Sequence, residues 1–459
     1  MNVKLQRTST YQHKINNHQK MKINMKKYIG IAGLMLCAGF AFGQATIIPA
    51  KAQTKPVAII GATIHTGNGQ VIENGYISFE KGKITGIGNA IGMEFNSGNT
   101  NIINAKGKHV YPGFIASNTS LGLIEVESGA RGTDDQGDVG EVNPHIRSII
   151  AYNTDSKVIP TLRSNGVLMA QPTPAGGLVS GQSSVVVLDG WNWEDASYKN
   201  DIGIHINWPV VRTRGGFFGQ SAAAPTSDPK EAQQKQISEL ESYLTVAKAY
   251  SELSKPAEFN ARFDAMKGLY NGSKKLFIHV NTAKDIIMAV NLAKKFKMTT
   301  VIVGGTESYL VTDLLRDNQV PVILVETQTL PDRTEDDVYL PYKLPKLLQD
   351  GGVLYSLTGT GYWRQRNLPF EAGTAVTYGL TKEQALSMIS LNTAKILGID
   401  KTTGSLEIGK DATLFISDGD ALDMLGNKVD LAFIQGRSIS MDNLHKQLYK
   451  RYADKYELK

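Results

Sequence analysis

The side chains able to do chemistry are few and widely spaced. His279 lies in Phe277-Ile278-His279-Val280-Asn281. A single imidazole there serves as a hydrogen-bonding partner for a neighbour, or as a ligand or substrate contact. Trp363-Arg364-Gln365-Arg366 sets two guanidinium groups beside an aromatic ring. Arg364 and Arg366 suit an anionic ligand such as a carboxylate, or a charged surface. Trp191-Asn192-Trp193-Glu194-Asp195 precedes His205 and Trp208, and Trp193 fits the wall of an apolar, polar-rimmed pocket or the packing of a core. An acidic stretch holds Glu125, Glu127, Asp134, Asp135, Asp138 and Glu141, with Arg131, His145 and Arg147 among them. Such a loop could supply carboxylate ligands or an acid–base pair, yet its spacing matches no ion-binding pattern and suits a solvated surface. Gly176–Ser183 has the glycine spacing of a phosphate loop, but Gln182 replaces the required lysine. The β run Ser184–Leu188 follows where a helix should start, so the segment reads as a turn or strand bend. No Gly-x-Ser-x-Gly elbow supports a serine nucleophile.

The elements that must position these groups fall into two kinds. Residues 57–110 alternate short apolar runs (57–60, 76–79, 83–87, 101–104) with the turn signals Gly67-Asn68-Gly69, Glu73-Asn74-Gly75 and Lys81-Gly82, a compact β unit. A matching turn-rich piece, 404–412, precedes apolar runs at 413–416 and 431–435 near the other end. Between them the period changes. The run 276–280 is a strand, Thr282-x-x-Asp285 resembles a capping box, and Ile286, Ala289, Val290, Ala293 and Phe296 recur at helical spacing. Strands at 299–303 and 320–325 flank a helix bearing Val311, Leu314 and Leu315, and Thr381-x-x-Gln384 opens another helix. Strand–helix alternation at this spacing predicts parallel βαβ units. Residues 444–456 read as a charged amphipathic helix packed on the exterior.

Three segments carry a resemblance: Lys106-Gly107-Lys108-His109-Val110-Tyr111-Pro112-Gly113-Phe114-Ile115; Asn367-Leu368-Pro369-Phe370-Glu371-Ala372-Gly373-Thr374-Ala375-Val376; and Leu391-Asn392-Thr393-Ala394-Lys395-Ile396-Leu397-Gly398 continuing through Gly404–Ala412. In order and spacing the chain resembles the amidohydrolase superfamily, its imidazolonepropionase-like branch in particular, over about residues 57–440. The resemblance implies an α/β fold: a distorted (β/α)8 TIM barrel with a small β-sandwich built from both chain ends. It also implies a divalent metal, zinc above all, at the barrel mouth, activating water against a non-peptide C–N bond. The family's ligand positions fall on Asn118 and Ser120 after strand 1, on His279 in strand 5 and near Gly304 after strand 6. The strand-8 proton-handling aspartate falls near Thr358. Of these only His279 is a histidine, and Val353–Gly361 contains no carboxylate. Neutral hydroxyl and amide oxygens do not replace imidazoles around zinc.

The chain has 459 residues, 41% hydrophobic and 20% charged, with a net charge of +6, enough for one large barrel and an accessory domain. Residues 1–43 carry seven basic and no acidic side chains, leaving 42 basic against 43 acidic residues elsewhere. The remainder is near neutral and gives no support to nucleic-acid binding. Lys26-Lys27, the apolar run 28–42 and Ala41-Phe42-Gly43 have the layout of a secretory signal peptide, with Met21 or Met25 as alternative starts. The single cysteine, Cys37, lies inside that run, so the exported chain has no disulfide, thiol nucleophile or cysteine zinc site.

The expected organisation is a signal peptide at 1–43, a composite β-sandwich from 57–110 with 403–440, a barrel at 111–402 and a terminal helix at 441–459. Two functions stay open: an exported hydrolase with a weak metal site, and a non-catalytic relative. The second keeps the mouth as a small-molecule pocket, or pairs with an active paralogue. A homodimer is a further expectation by analogy.

Overall fold

The computed structural model describes residues 48–126, 135–210 and 228–458. The signal-like segment with Cys37, and Glu127, Arg131 and Asp134 of the acidic stretch, lie outside the described residues. The strands are β1 (Val57–His65), β2 (Val71–Glu80), β3 (Lys83–Asn89), β4 (Asn101–Asn104), β5 (His109–Pro112), β6 (Phe114–Thr119), β7 (Val167–Pro172) and β8 (Val179–Val187). They continue as β9 (Ser197–Asn207), β10 (Lys275–Val280), β11 (Thr300–Gly304), β12 (Val322–Val325), β13 (Tyr355–Thr358), β14 (Leu414–Ser417), β15 (Val429–Ile434) and β16 (Arg437–Ile439).

Two sheets result. The first runs β16-β15-β14-β5-β1-β2-β3, with β4 on β1, and so joins both ends of the chain. Its junction is the antiparallel pairing of β5 with β14, Pro112 opposite Leu414 and His109 opposite Ser417. Alternating residues of these strands, among them Ile59, Ile77, Phe79, Val110, Leu414 and Phe433, bury a core of their own. The second sheet runs β6 to β13 in chain order and forms a nearly closed barrel. Its open seam is stitched by side chains: the Thr358 hydroxyl donates to the Ser117 carbonyl, and Thr119 Oγ1 donates to the Gly361 carbonyl at 2.7 Å.

The chain crosses between sheets at Gly113, whose amide donates to Thr413 O while Phe114 N already donates to Gly166 O. The sheets are also tied by His65, whose Nδ1 meets Glu383 Oε1 at 2.6 Å and whose Nε2 meets His109 Nδ1 at 3.1 Å. Glu383 belongs to helix Lys382–Met388, which opens on a complete capping box of Thr381 and Gln384. Thr282 caps helix Ala283–Lys295 by accepting from Asp285 N.

The barrel departs from the expected parallel order in one place. β8 runs antiparallel to both β7 and β9. The connection from Pro172 to Val179 is a short run through Pro174, Gly176 and Gly177, too short for the crossover that a parallel return needs. The terminal helix Leu444–Tyr456 has no buried residue and lies against the outer barrel helix Ile159–Arg163; near its start Asn443 Nδ2 donates to Ser164 Oγ and His445 lies 6.1 Å from the Trp363 ring.

One glycine in the barrel's outer layer is fixed by close approach. A Cβ on Gly373, in helix Leu368–Thr377, would collide with the Leu422 carbonyl oxygen. Gly373→Ala gains about 1 kcal/mol of helix propensity. Overpacking against backbone costs about 1–3 kcal/mol and should prevail. Thermal unfolding is expected to show a lower Tm for this variant, and a raised Tm would refute the contact.

Candidate functional site at the barrel mouth

Side chains alternate along β9, so Ile202, Ile204 and Ile206 share one face while Gly203, His205 and Asn207 share the other. β10 lies beside it in register, Phe277 opposite His205 and His279 opposite Asn207. His205 stacks on Phe277 with ring centres 4.6 Å apart and 6° between planes. A chain of hydrogen bonds then crosses five strands inside the barrel. Asn118 N donates to Gln171 Oε1 at 3.0 Å, and Gln171 Nε2 donates to Ser183 Oγ at 2.9 Å. Ser183 Oγ lies 2.8 Å from His205 Nε2, and His205 Nδ1 lies 3.0 Å from His279 Nε2. Gln171, Ser183 and His205 are fully buried, and only His279 is partly exposed. Burial holds His279 down to about 4. Burial, with the neighbouring His279, also holds His205 well below the ordinary histidine value. Both rings are neutral at pH 7.

A second polar group stands where β12 and β13 end. Glu326, buried and in a left-handed conformation (φ 49°), accepts from Thr360 N at 2.9 Å, from the Thr360 hydroxyl and from Arg364 Nη1 at 2.8 Å. Glu371 fixes the adjoining turn by accepting from Thr327 N and Gln328 N, each at 2.8 Å. Glu326 thereby holds a carboxylate at the C-terminal end of a barrel strand, the face on which barrel enzymes carry their working groups.

The residues expected at the site are distributed unevenly. His279 is at the mouth and joined to His205. Asn118 ends β6 in a left-handed conformation (φ 44°) and contributes its backbone amide to the relay. Ser120 turns the chain, its carbonyl accepting from Leu123 N and Ile124 N. Gly304 ends β11 at φ 95°, a backbone conformation that L side chains rarely adopt, and a Cβ there would also force the Asn281 side chain to move. Thr358 spends its hydroxyl on the β6–β13 seam.

Arg364 reaches the mouth but is paired with Glu326. Arg366 lies over the Trp363 ring at 5.0 Å, and its carbonyl accepts from Asn165 Nδ2 at 2.7 Å, which places it in the outer layer. Trp193 lies away from the mouth. β8 runs backwards, and Leu188 N donates to Leu168 O near the start of β7, so the loop carrying Trp193 lies at the opposite end of the barrel. There the ring packs against the core.

The donor set does not fit the zinc centre that the resemblance implies. Zinc needs three or more imidazole, thiolate or carboxylate donors converging on one point. Among the described residues no group of three His, Cys, Asp or Glu does so. The one histidine at a family ligand position directs Nε2 at a second imidazole.

Sequence reasoning missed the relay and Glu326. Two signals were present: the period-2 pattern Asp201–Asn207, which puts His205 on the polar face, and a carboxylate directly after the apolar run Val322–Val325.

Comparison with known proteins agrees with this architecture. The model of the Amidohydrolase family matches residues 343–439. The amidohydrolase tasK of Hapsidospora irregularis is 34% identical over 110 residues, 22% of this chain. The match spans 11% of that protein's length. A crystal structure of an amidohydrolase from Thermotoga maritima superposes with a TM-score of 0.70 at 22% identity, over 84% of this chain and 99% of that one. A prolidase crystallised with N-methylphosphonate-L-proline superposes with a TM-score of 0.52 at 13% identity, over 84% and 99% of the two chains. These likenesses show the barrel fold with its second sheet.

Proposed function

We propose that this chain is a barrel of the amidohydrolase superfamily, from its imidazolonepropionase-like branch, that binds a small molecule at the mouth without the family's metal. The observation that carries this reading is the pairing of His279 Nε2 with His205 Nδ1 at 3.0 Å, while Asn118, Ser120, Gly304 and Thr358 offer no anionic or imidazole donor. An ion bound by His279 through Nε2 would first have to break a buried hydrogen bond and leave His205 unsatisfied, and one bound through Nδ1 would find no second imidazole or anionic donor at these four positions. The charge of a divalent cation on His279 would also find only neutral side chains in the relay, with the Glu326 carboxylate already paired to Arg364. Export through the basic and apolar N-terminal segment, and assembly as a homodimer or with an active paralogue, belong to the same reading.

The Amidohydrolase family match favours a second reading, hydrolysis of a non-peptide C–N bond. Elemental analysis separates the two. After dialysis against metal-free buffer, the protein is expected to hold well below one zinc, manganese or iron per chain. Near-stoichiometric metal would overturn the binding-protein reading and make hydrolysis the better one.

A further inference from the structure

We propose that the buried relay fixes His279 as a neutral Nδ1–H donor facing the mouth, and that the ligand it holds is an uncharged hydrogen-bond acceptor. The inference rests on the metal-free reading above and adds a direction to the site.

The direction follows from which groups must donate. The backbone amide of Asn118 can only donate, so the Gln171 atom it meets is the amide oxygen and the nitrogen of that side chain points at Ser183. Ser183 Oγ accepts from that nitrogen. Its own hydrogen is buried, and the acceptor within reach is His205 Nε2 at 2.8 Å. His205 therefore carries its hydrogen on Nδ1 and donates it to His279 Nε2 at 3.0 Å. His279 in turn carries its hydrogen on Nδ1. That nitrogen has no hydrogen-bond partner among the described residues, and it is not among the buried polar atoms left unpartnered, so it is open to a ligand. Every link points the same way, and aligned hydrogen bonds polarise one another.

Ser183 and His205 are too enclosed to meet a substrate themselves, so the serine is a positioning residue and not a nucleophile. The ligand is uncharged because the relay carries no net charge, while Arg364, the cation that reaches the mouth, is already paired with Glu326. An anion held by the relay would find no free counter-charge there.

Nitrogen-15 NMR of the histidine-labelled full chain tests this, with His205→Gln and His279→Gln used for assignment. The expected wild-type pattern at pH 7 is a protonated, pyrrole-like Nδ1 and a bare, pyridine-like Nε2 on both rings. In Ser183→Ala, His205 loses its fixed acceptor role and the His279 signal should become a mixture of tautomers, a change that packing alone would not cause. Acetamide, N-methylacetamide and 2-pyrrolidinone serve as uncharged probes, and acetate as the charged one. At least one uncharged probe should shift the His279 signals saturably, and acetate should not. A wild-type Nε2–H tautomer on His279 overturns the relay even if Ser183→Ala fails to fold. A response to acetate alone, or to no uncharged probe, overturns the ligand class. Metal analysis of the same sample keeps the two failures apart: stoichiometric metal refutes the metal-free reading, whereas a metal-free protein with the wrong tautomer refutes only the relay.

Discussion

Asp189→Ala is expected to remove about 3–5 kcal/mol of stability, the loss associated with breaking a buried ion pair from one side. Asp189 and Arg163 are almost wholly enclosed, with side-chain exposures of 2% and 4%. The carboxylate meets Arg163 Nη1 at 3.2 Å, Arg437 Nη1 at 3.1 Å and the Ala50 amide at 3.1 Å. It thus joins the helix Ile159–Arg163 of the barrel, the edge strand β16 of the other sheet and the segment leading into β1. Burial already pulls the Arg163 guanidinium below its ordinary value, and Asp189 opposes that shift. Without the carboxylate the cation stays in the core with only the Leu188 carbonyl, 3.2 Å away. Asp189→Asn keeps the shape and loses the charge, so it should also be strongly destabilised. Urea unfolding at pH 7.5 followed by circular dichroism measures both. A loss under about 1 kcal/mol would place the pair in the range of solvated surface bridges and remove its claim to lock the sheets together.

That lock shows why some of the fold was legible and some was not. β10, β11 and the helix between them announce themselves through local apolar periodicity and a capping residue, which depend on neighbours in sequence. The composite sheet was legible because β5 and β14 each carry turn-bounded apolar runs. Asp189 was not, because its partners Arg163, Arg437 and Ala50 lie 26, 248 and 139 residues away along the chain. Reversal of β8 was hidden for a related reason. The glycines after Pro174 signalled a bend, but strand direction is set by the length of the connection and not by the strand's own residues. Trp193 lies away from the mouth as a consequence. At the mouth, His279 was visible as an isolated imidazole on a strand. Its meaning came only from His205, whose side chain it meets across a register of 74 residues.

Acidification from pH 7 to pH 4 is expected to cost the native state about 3 kcal/mol through His279 alone, as its folded value of about 4 stands below the ordinary 6.5. Between those values the unfolded chain binds more protons than the native one, so stability rises with pH across the window and is lost as pH falls through it. Above 6.5 both states are neutral at this ring and the term is flat. His205, also held well below the ordinary histidine value by burial and by its neighbour, acts with the same sign, and the two rings take up their proton as a pair. His109, lowered by burial and by His65, adds to the same slope from the other sheet. Carboxylates held below their usual range, such as Glu407 by the Ser405 hydroxyl, add to the loss with the same sign only at the acid end of the range, where the unfolded chain's carboxylates begin to take up protons. Urea midpoints measured from pH 7.5 to 4.5 should fall steadily in the wild type. They should fall less in His279→Gln and least in the double variant His205→Gln/His279→Gln. Equal slopes in all three would show that the pair is solvated. The slope should also be unchanged by EDTA. A metal-ligating imidazole is held deprotonated by its ion and released by a chelator, whereas His279 is held deprotonated by burial beside His205, so chelation has nothing to remove.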